Sequence, residues 1–261
     1  MIPTGPRDDI EIDFSDQINI NEEISEIAGS KFFDWLKDLC ELKKYKVNSI
    51  FNLIPVFETN ISQHKKYKDF PTNYPNVKFL GTETTSALQT RGFYDTADTI
   101  RRWPKDGKTK FTEGNKEFAA SAYDNVSAYW GSTHEETLKE AKKYDHVSGI
   151  FVWTGFDYLG EPLPYPWPAR SSYFGIVDLA GFPKDSYYLY QSEWTNKPVL
   201  HILPHWNWEK GKSVEVWAYY NNADEVELYL NGKSLGKKSK EGEEMHVMWS
   251  VPFEAGTLKA I

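Results

Sequence analysis

Residues 147–162 read VSGIFVWTGFDYLGEP, an apolar run that passes directly into a Gly- and Pro-bearing tail. Such a run predicts a buried strand that ends in a loop. Just upstream, Thr133 with Glu136 three residues on has the pattern of a capping box, opening a helix that carries Leu138, Ala141 and Tyr144. Further back, VKFLGTET (77–84) predicts another buried strand ending in polar residues, and a polar helical stretch spans 62–69. NSIFNLIPVF (48–57) predicts a further strand, interrupted late by Pro55. Ser30 is placed to cap a helix in which Phe32, Trp35, Leu36, Leu39 and Leu42 recur at helical spacing. The alternation of strand, helix and loop predicts a parallel α/β arrangement. Residues 1–28 are acidic and weakly patterned, and the region between the strand at 77–84 and Thr133 is irregular, rich in Gly, Pro and aromatics.

From about Lys197 the pattern changes to strands. SVEVWAYY (213–220), EVELYL (225–230), HVMWSV (246–251) and GTLKAI (256–261) are strand-like. Val226, Leu228 and Leu230 fall on one face and Glu227 and Tyr229 on the other, and Asn231-Gly232 supplies a hairpin turn. These features predict a small β-sandwich, which GTLKAI leaves without a closing turn or polar tail, as if truncated.

Composition narrows the function. The chain has 261 residues, 40% hydrophobic and 26% charged, enough for one large domain or two smaller ones. Ten Trp, 16 Tyr and 15 Phe, several beside Gly, Pro or carboxylates, suit sugars, whose C–H faces stack on rings; filling a large core is the alternative. A net charge of −8 argues against a nucleic-acid partner, and the short basic stretch HKKYKDF (64–70) reads as one solvated helix face. No apolar run is long enough to span a bilayer, and the first residues, MIPTGPRDDIEIDF, lack the pattern of a signal peptide. Cys40 is alone, so neither an internal disulfide nor a cysteine metal site is expected. The histidines form no HExxH set, and His201 and His205 flank Pro204, so no metal site is expected there either.

Strands of a parallel barrel deliver catalytic side chains to their C-terminal rim. Glu83, Asp157 and Glu161 fall at predicted strand ends. Retaining glycoside cleavage needs two carboxyl groups roughly 5–5.5 Å apart, which strand ends can supply; a solvated loop junction is the alternative.

The segment GTETTSALQTRGFYD (81–95) resembles the nucleophile segment of family 2 glycoside hydrolases of the β-galactosidase type, with Glu83 on the nucleophile position. GIFVWTGFDYLGEPLPYPWPARSSYFGIVDLAGFPKDSYYLYQSEW (149–194) resembles the last barrel strand and following loop of that family, and Trp153 matches the tryptophan that floors the sugar subsite. VEVWAYYNNADEVELYLNGKSLG (214–236) resembles the β-sandwich that follows the barrel in many gut-bacterial members, so the resemblance covers about residues 77–261. It implies an α/β fold: the C-terminal portion of a TIM (β/α)8 barrel over 1–196, then a truncated immunoglobulin-like β-sandwich over 197–261. It implies a retaining exo-β-glycosidase that hydrolyses terminal β-galactosides by double displacement, with an oligosaccharide or glycoside substrate and no cofactor. Full-length members of this kind are expected to be periplasmic or secreted.

The acid/base that the resemblance requires falls on Glu23, in INEEISE (20–26), where Glu22 replaces the family's Asn. Moving the register by one restores an Asn-Glu pair as Asn21-Glu22, and a pair of ordinary surface acids is the third reading. Between Glu23 and Glu83 only one strand-like run occurs, and a complete barrel takes about 250 residues. The chain is therefore expected to be a fragment, with a non-catalytic sugar-binding remnant as the alternative and unpaired barrel edges as a route to self-association. Asp157 is placed to accept bonds from sugar hydroxyls or to make a structural hydrogen bond. Arg91 is placed to pair with a rim carboxylate and keep Glu83 ionised, or to form a purely structural bridge. Tyr165 and Trp167 either line an outer subsite or pack their Pro-rich loop onto the domain.

Overall fold

The computed structural model describes residues 51–54, 67–72, 75, 78–95, 99–105 and 110–261. The chain divides into two compact units, Met1–Asn52 and Leu53–Ile261, and every side-chain contact given below lies in the second. The expectations for Asn21, Glu22, Glu23, Cys40 and the helix after Ser30 lie outside the described residues.

The predicted strands at 48–57 and 77–84, and the strand that opens 147–162, correspond to β1 (Phe51–Ile54), β2 (Lys78–Thr85) and β5 (Val147–Trp153). They form one sheet in the order β1-β2-β5. The pairing of β2 with β5 is parallel, as the alternating pattern required, and ends with Thr85 opposite Trp153. Two short strands lie in the region expected to be irregular: β3 (Arg101–Trp103) and β4 (Val126–Ala128) pair in parallel. At three residues each they are too short to show a period in sequence.

Between β4 and β5 lies α1 (His134–Lys142). Both halves of its capping box form: Glu136 N–H donates to Thr133 Oγ1 at 3.3 Å, and Thr133 N–H donates to Glu136 Oε2 at 2.8 Å. The remaining N-terminal donors are taken by Asp124, whose carboxylate accepts from the N–H groups of His134 and Glu135 at 3.0 and 2.7 Å. With its start fixed in this way, the helix buries Leu138 in a core shared with Ile150 and Val152 of β5. Residues 67–72 are helical and set Tyr67 and Phe70 against Phe79, packed by Ala141, Tyr144 and Val147.

After α2 (Asp185–Trp194) the chain is strand-built. One antiparallel sheet has the order β10-β7-β6, from β6 (Leu200–Leu203), β7 (Ser213–Tyr220) and β10 (Val247–Pro252). A second has the order β11-β8-β9, from β8 (Val226–Leu230), β9 (Lys233–Lys238) and β11 (Leu258–Ala260). Period-2 patterning sends Val214, Val216, Ala218 and Tyr220, Val226, Leu228 and Leu230, and Val247, Trp249 and Val251 into one core between them. Asn231 and Gly232 turn β8 into β9 with φ of 52° and 79°, the left-handed values a two-residue hairpin demands. The exposed strand β9 carries Lys233, Lys237 and Lys238, charges that discourage edge-to-edge pairing.

The strand β7 is buried on both faces. Its alternate residues Trp217 and Tyr219 leave the sandwich core and join Tyr123, Leu138, Leu189, Tyr190 and Leu203. This accounts for a run of five buried residues ending the strand, where a one-sided strand would alternate.

Leu228, fully buried at the centre of the inter-sheet core, should cost about 2–5 kcal/mol of stability on Leu228→Ala, read as a lowered urea midpoint. Lys233→Ala, on the exposed edge, should stay within about 0.5 kcal/mol.

Candidate active site

β2 and β5 run parallel, with irregularities between Phe79 and Leu80 and between Gly81 and Thr84, and their C-terminal ends meet with Thr84 opposite Val152 and Thr85 opposite Trp153. The hydroxyl of Thr84 donates to the carbonyl of Phe151 at 2.9 Å, and that of Thr85 to the carbonyl of Trp153 at 3.2 Å. Both threonines are buried, while the preceding Glu83 is half-buried. Two residues further on, the backbone takes left-handed conformations at two non-glycine residues, Thr85 (φ 80°) and Ser86 (φ 64°). For such residues this is a strained geometry that surrounding contacts must hold. Ser132 N–H donates to Thr85 O at 2.7 Å and Ala128 N–H to Ser86 O at 2.9 Å. That grip needs Gly131, since a Cβ there would lie 2.4 Å from the Thr85 carbonyl oxygen.

At the end of β5, the half-buried Trp153 meets Tyr158 edge to face, with ring centroids 5.9 Å apart at 76°. The Tyr158 hydroxyl donates to the Glu161 carboxylate. Burial holds the Glu83 carboxyl above its ordinary pKa, and the negative charge of Glu161 raises it further. Glu83 in turn adds to the burial and the Glu161 contact that keep Tyr158 protonated. Glu83, Trp153, Tyr158 and Glu161 thus form one electrostatic group.

The other sequence-selected residues have definite partners. Asp157 pairs with Lys184, whose ammonium donates to its Oδ1 and Oδ2 at 2.9 and 2.8 Å, and it accepts from Gly175 N–H at 2.8 Å. Lys184, 1% exposed, also donates to the carbonyls of Gln89 at 2.8 Å and Tyr173 at 3.2 Å. Burial pushes the Asp157 carboxyl up and the Lys184 ammonium down, and their mutual attraction opposes both shifts. Arg91 pairs through Nε with Asp178 at 2.5 Å and lies over the Phe182 ring at 4.8 Å; its carboxylate is Asp178 rather than Glu83. Burial pushes the Asp178 carboxyl up, but Arg91 and the Phe182 and Ala180 N–H groups outweigh it and hold the carboxyl low.

The structure separates Tyr165 from Trp167. Tyr165 is buried, donates to the Ala119 carbonyl at 2.7 Å and stands edge-on to Phe111 and Phe118. Trp167 is 73% exposed, with the Arg170 guanidinium 4.5 Å from its ring centroid. His201 bonds Asp185 at 2.7 Å and stacks on Tyr188, while His205 stacks on Trp208. Among the described residues no group of three or more His, Cys, Asp or Glu is placed to hold a metal ion.

Two residues of this site escaped the sequence reading. Tyr158 had a signal, its three-residue spacing to Glu161 in DYLGEP. Lys184 had none, because its partners lie far off in the chain.

A glutamate near the end of one parallel strand thus lies in the same electrostatic group as an indole at the end of the next. The profile of a domain of unknown function, DUF4982, matches residues 211–261. A β-galactosidase of Bacteroides ovatus is 56% identical over 199 residues, covering 76% of this chain and 23% of the relative. A putative β-glucuronidase of Formosa agariphila is 41% identical over 231 residues, covering 74% of this chain and 21% of the relative. Among solved structures, a β-glycosidase from Bacteroides vulgatus superposes with a TM-score of 0.66 at 35% identity, covering 77% of this chain and 28% of that one. A family 2 glycosyl hydrolase member from Bacteroides cellulosilyticus shares the fold, with a TM-score of 0.51 at 21% identity over 76% of this chain and 24% of that one. This chain belongs with the family 2 glycoside hydrolases of the β-galactosidase and β-glucuronidase type. It spans less than a third of the length of each of these relatives.

In a side-chain 13C NMR titration, Glu83 should titrate above the exposed glutamates. Glu161→Gln, which removes the second of the two causes, should move that midpoint to lower pH while leaving it above the ordinary range, because burial remains. Lys184→Met strands Asp157 and should cost about 3–5 kcal/mol in urea unfolding, whereas Lys184→Met combined with Asp157→Asn should cost less than Lys184→Met alone.

Proposed function

We propose that this chain carries the nucleophile side of a retaining exo-β-glycosidase that hydrolyses terminal β-galactosides by double displacement. One observation carries the reading. Glu83 is half-buried at the end of β2, beside Trp153 at the end of the paired parallel strand β5. In the first step a Glu83 carboxylate oxygen bonds to the anomeric carbon as the glycosidic C–O bond breaks. The departing oxygen takes a proton from a second carboxylic acid, for which Glu23 is the choice. In the second step water, deprotonated by that same carboxylate, displaces Glu83 from the sugar. Trp153 stacks under the ring, and Tyr158 fixes the tilt of the indole. Galactose is preferred to a uronic acid because the 56% identical relative is a β-galactosidase.

In this reading residues 1–196 are the C-terminal portion of a (β/α)8 barrel and 197–261 an immunoglobulin-like β-sandwich that supports it. Strand β5 ends the sheet order among the described strands and exposes Phe151, and this edge is where a second copy would pair. The sequence feature that favours a sugar-binding role without turnover is Glu22, standing where the family has Asn.

The nucleophile can be tested without the acid/base. A 2,4-dinitrophenyl 2-deoxy-2-fluoro-β-galactoside has a leaving group that needs no protonation, and its fluorine slows release of the glycosyl-enzyme. Peptide mass spectrometry should find the fluorosugar on Glu83 and none after Glu83→Gln. Labelling at another carboxylate, or none on the wild-type chain, would refute the assignment.

A further inference from the structure

The loop after β5 is a hairpin with a built base and a stiff tip. Tyr158 and Ser172 face each other through Ser172 N–H to Tyr158 O at 2.9 Å and Tyr158 N–H to Ser172 Oγ at 3.0 Å. Gly160 N–H donates to Arg170 O at 2.7 Å. The tip between them, EPLPYPWPA (161–169), has proline at every second position, which fixes φ along its length. Tyr165 roots the tip in the core, as described above. The tip buries Pro164 and Tyr165 but keeps Trp167 outside, 73% exposed.

The exposed ring is also backed. The Arg170 guanidinium lies over one face of it at 4.5 Å, a contact that orients the indole while most of the residue stays exposed. Among the described residues the guanidinium forms no ion pair, so its donors are available to hydroxyl groups beside the ring. A flat aromatic surface with hydrogen-bond donors at its margin matches a pyranose, which has a C–H face and hydroxyls at its rim. Location selects which pyranose. The tip begins at Glu161, the carboxylate bonded to Tyr158 in the Glu83 group, and its Tyr165 and Ala169 pack in the same apolar cluster as Trp153 and Tyr158.

We infer that Trp167, backed by Arg170, is an outer sugar subsite that stacks the second pyranose of a β-linked oligosaccharide whose terminal galactose lies over Trp153. The inference rests on the function proposed above and adds its substrate class: oligosaccharides, not small glycosides. The rigid tip means that little ordering cost is incurred on binding.

The test uses the full chain, a thio-linked β-disaccharide with galactose at its non-reducing end, and methyl β-D-galactopyranoside. Binding is followed through the indole N–H resonances, with that of Trp167 assigned by its loss in Trp167→Ala. The disaccharide should bind about tenfold more tightly than the methyl galactoside and shift the Trp167 resonance. Trp167→Ala should remove that advantage while leaving methyl galactoside affinity unchanged, and Trp167→Phe, which keeps a ring, should retain part of it. Equal affinity for the two sugars, or an advantage that survives Trp167→Ala, would overturn the subsite and leave the nucleophile assignment standing. Disaccharide binding through Trp167 without fluorosugar labelling of Glu83 would do the reverse. Binding of neither sugar would sink both.

Discussion

One buried ammonium holds this site in register. Lys184 joins the carbonyl of Gln89 on the segment leaving Glu83, the carboxylate of Asp157 on the segment leaving Trp153, and the carbonyl of Tyr173 on the returning arm of the hairpin. Three irregular segments that share no extended ladder thus meet on a single cation. Taking a charge out of water costs several kcal/mol, and only a full set of acceptors offsets it. The same requirement makes the arrangement specific. A displaced loop would leave either the ammonium or Asp157 without partners, so the electrostatics penalise every other loop position. Glu83, Trp153 and Tyr158 are placed by the strands and by this cation together.

Much of the scaffold was legible because it is written in local patterns. The alternation in VELYL states which side of β8 is buried, and Thr133 with Glu136 states where α1 starts. Asn231-Gly232 states the turn by its need for positive φ. The apolar run 77–84 precedes the strand Lys78–Thr85 by one residue at each end, which leaves Glu83 near the strand's end in both. What was not legible depends on chain distance. Lys184 and Gln89 lie 95 positions apart, and no periodicity encodes such a contact. Tyr165 and Trp167 are equivalent in sequence, two aromatics in one Pro-rich loop, and only tertiary packing sends one inward and leaves the other outside. Arg91 pairs with Asp178, which lies 87 positions away, so its sequence neighbourhood does not name that partner.

The carboxylates show why residue type alone underdetermines a role. Asp157 and Glu161 are four positions apart on one loop, yet Asp157 is spent on Lys184 and Gly175, whereas Glu161 remains exposed with its charge directed at Glu83. Burial raises the Glu83 carboxyl, and a nearby negative charge raises it again. Each of these favours the neutral acid, the form that cannot attack. In the reaction proposed above, a positively charged anomeric centre beside Glu83 would act in the opposite sense and favour the carboxylate.

The double burial of β7 bears on how such chains can be cut and recombined. Trp217 and Tyr219 lie in the same core as Leu138 and Leu189, so the strand-built part lends one of its sheets to the helical part as a wall. A composition change near Lys197 marks a border in the sequence, but the packing crosses it. Exchange of the last sixty or so residues with those of a distant relative would transplant half of an aromatic interface and leave the other half facing a stranger. Inheritance of the two pieces should therefore be joint, and drift at Trp217 or Tyr219 should be answered across the border, at Tyr123, Leu138 or Tyr190.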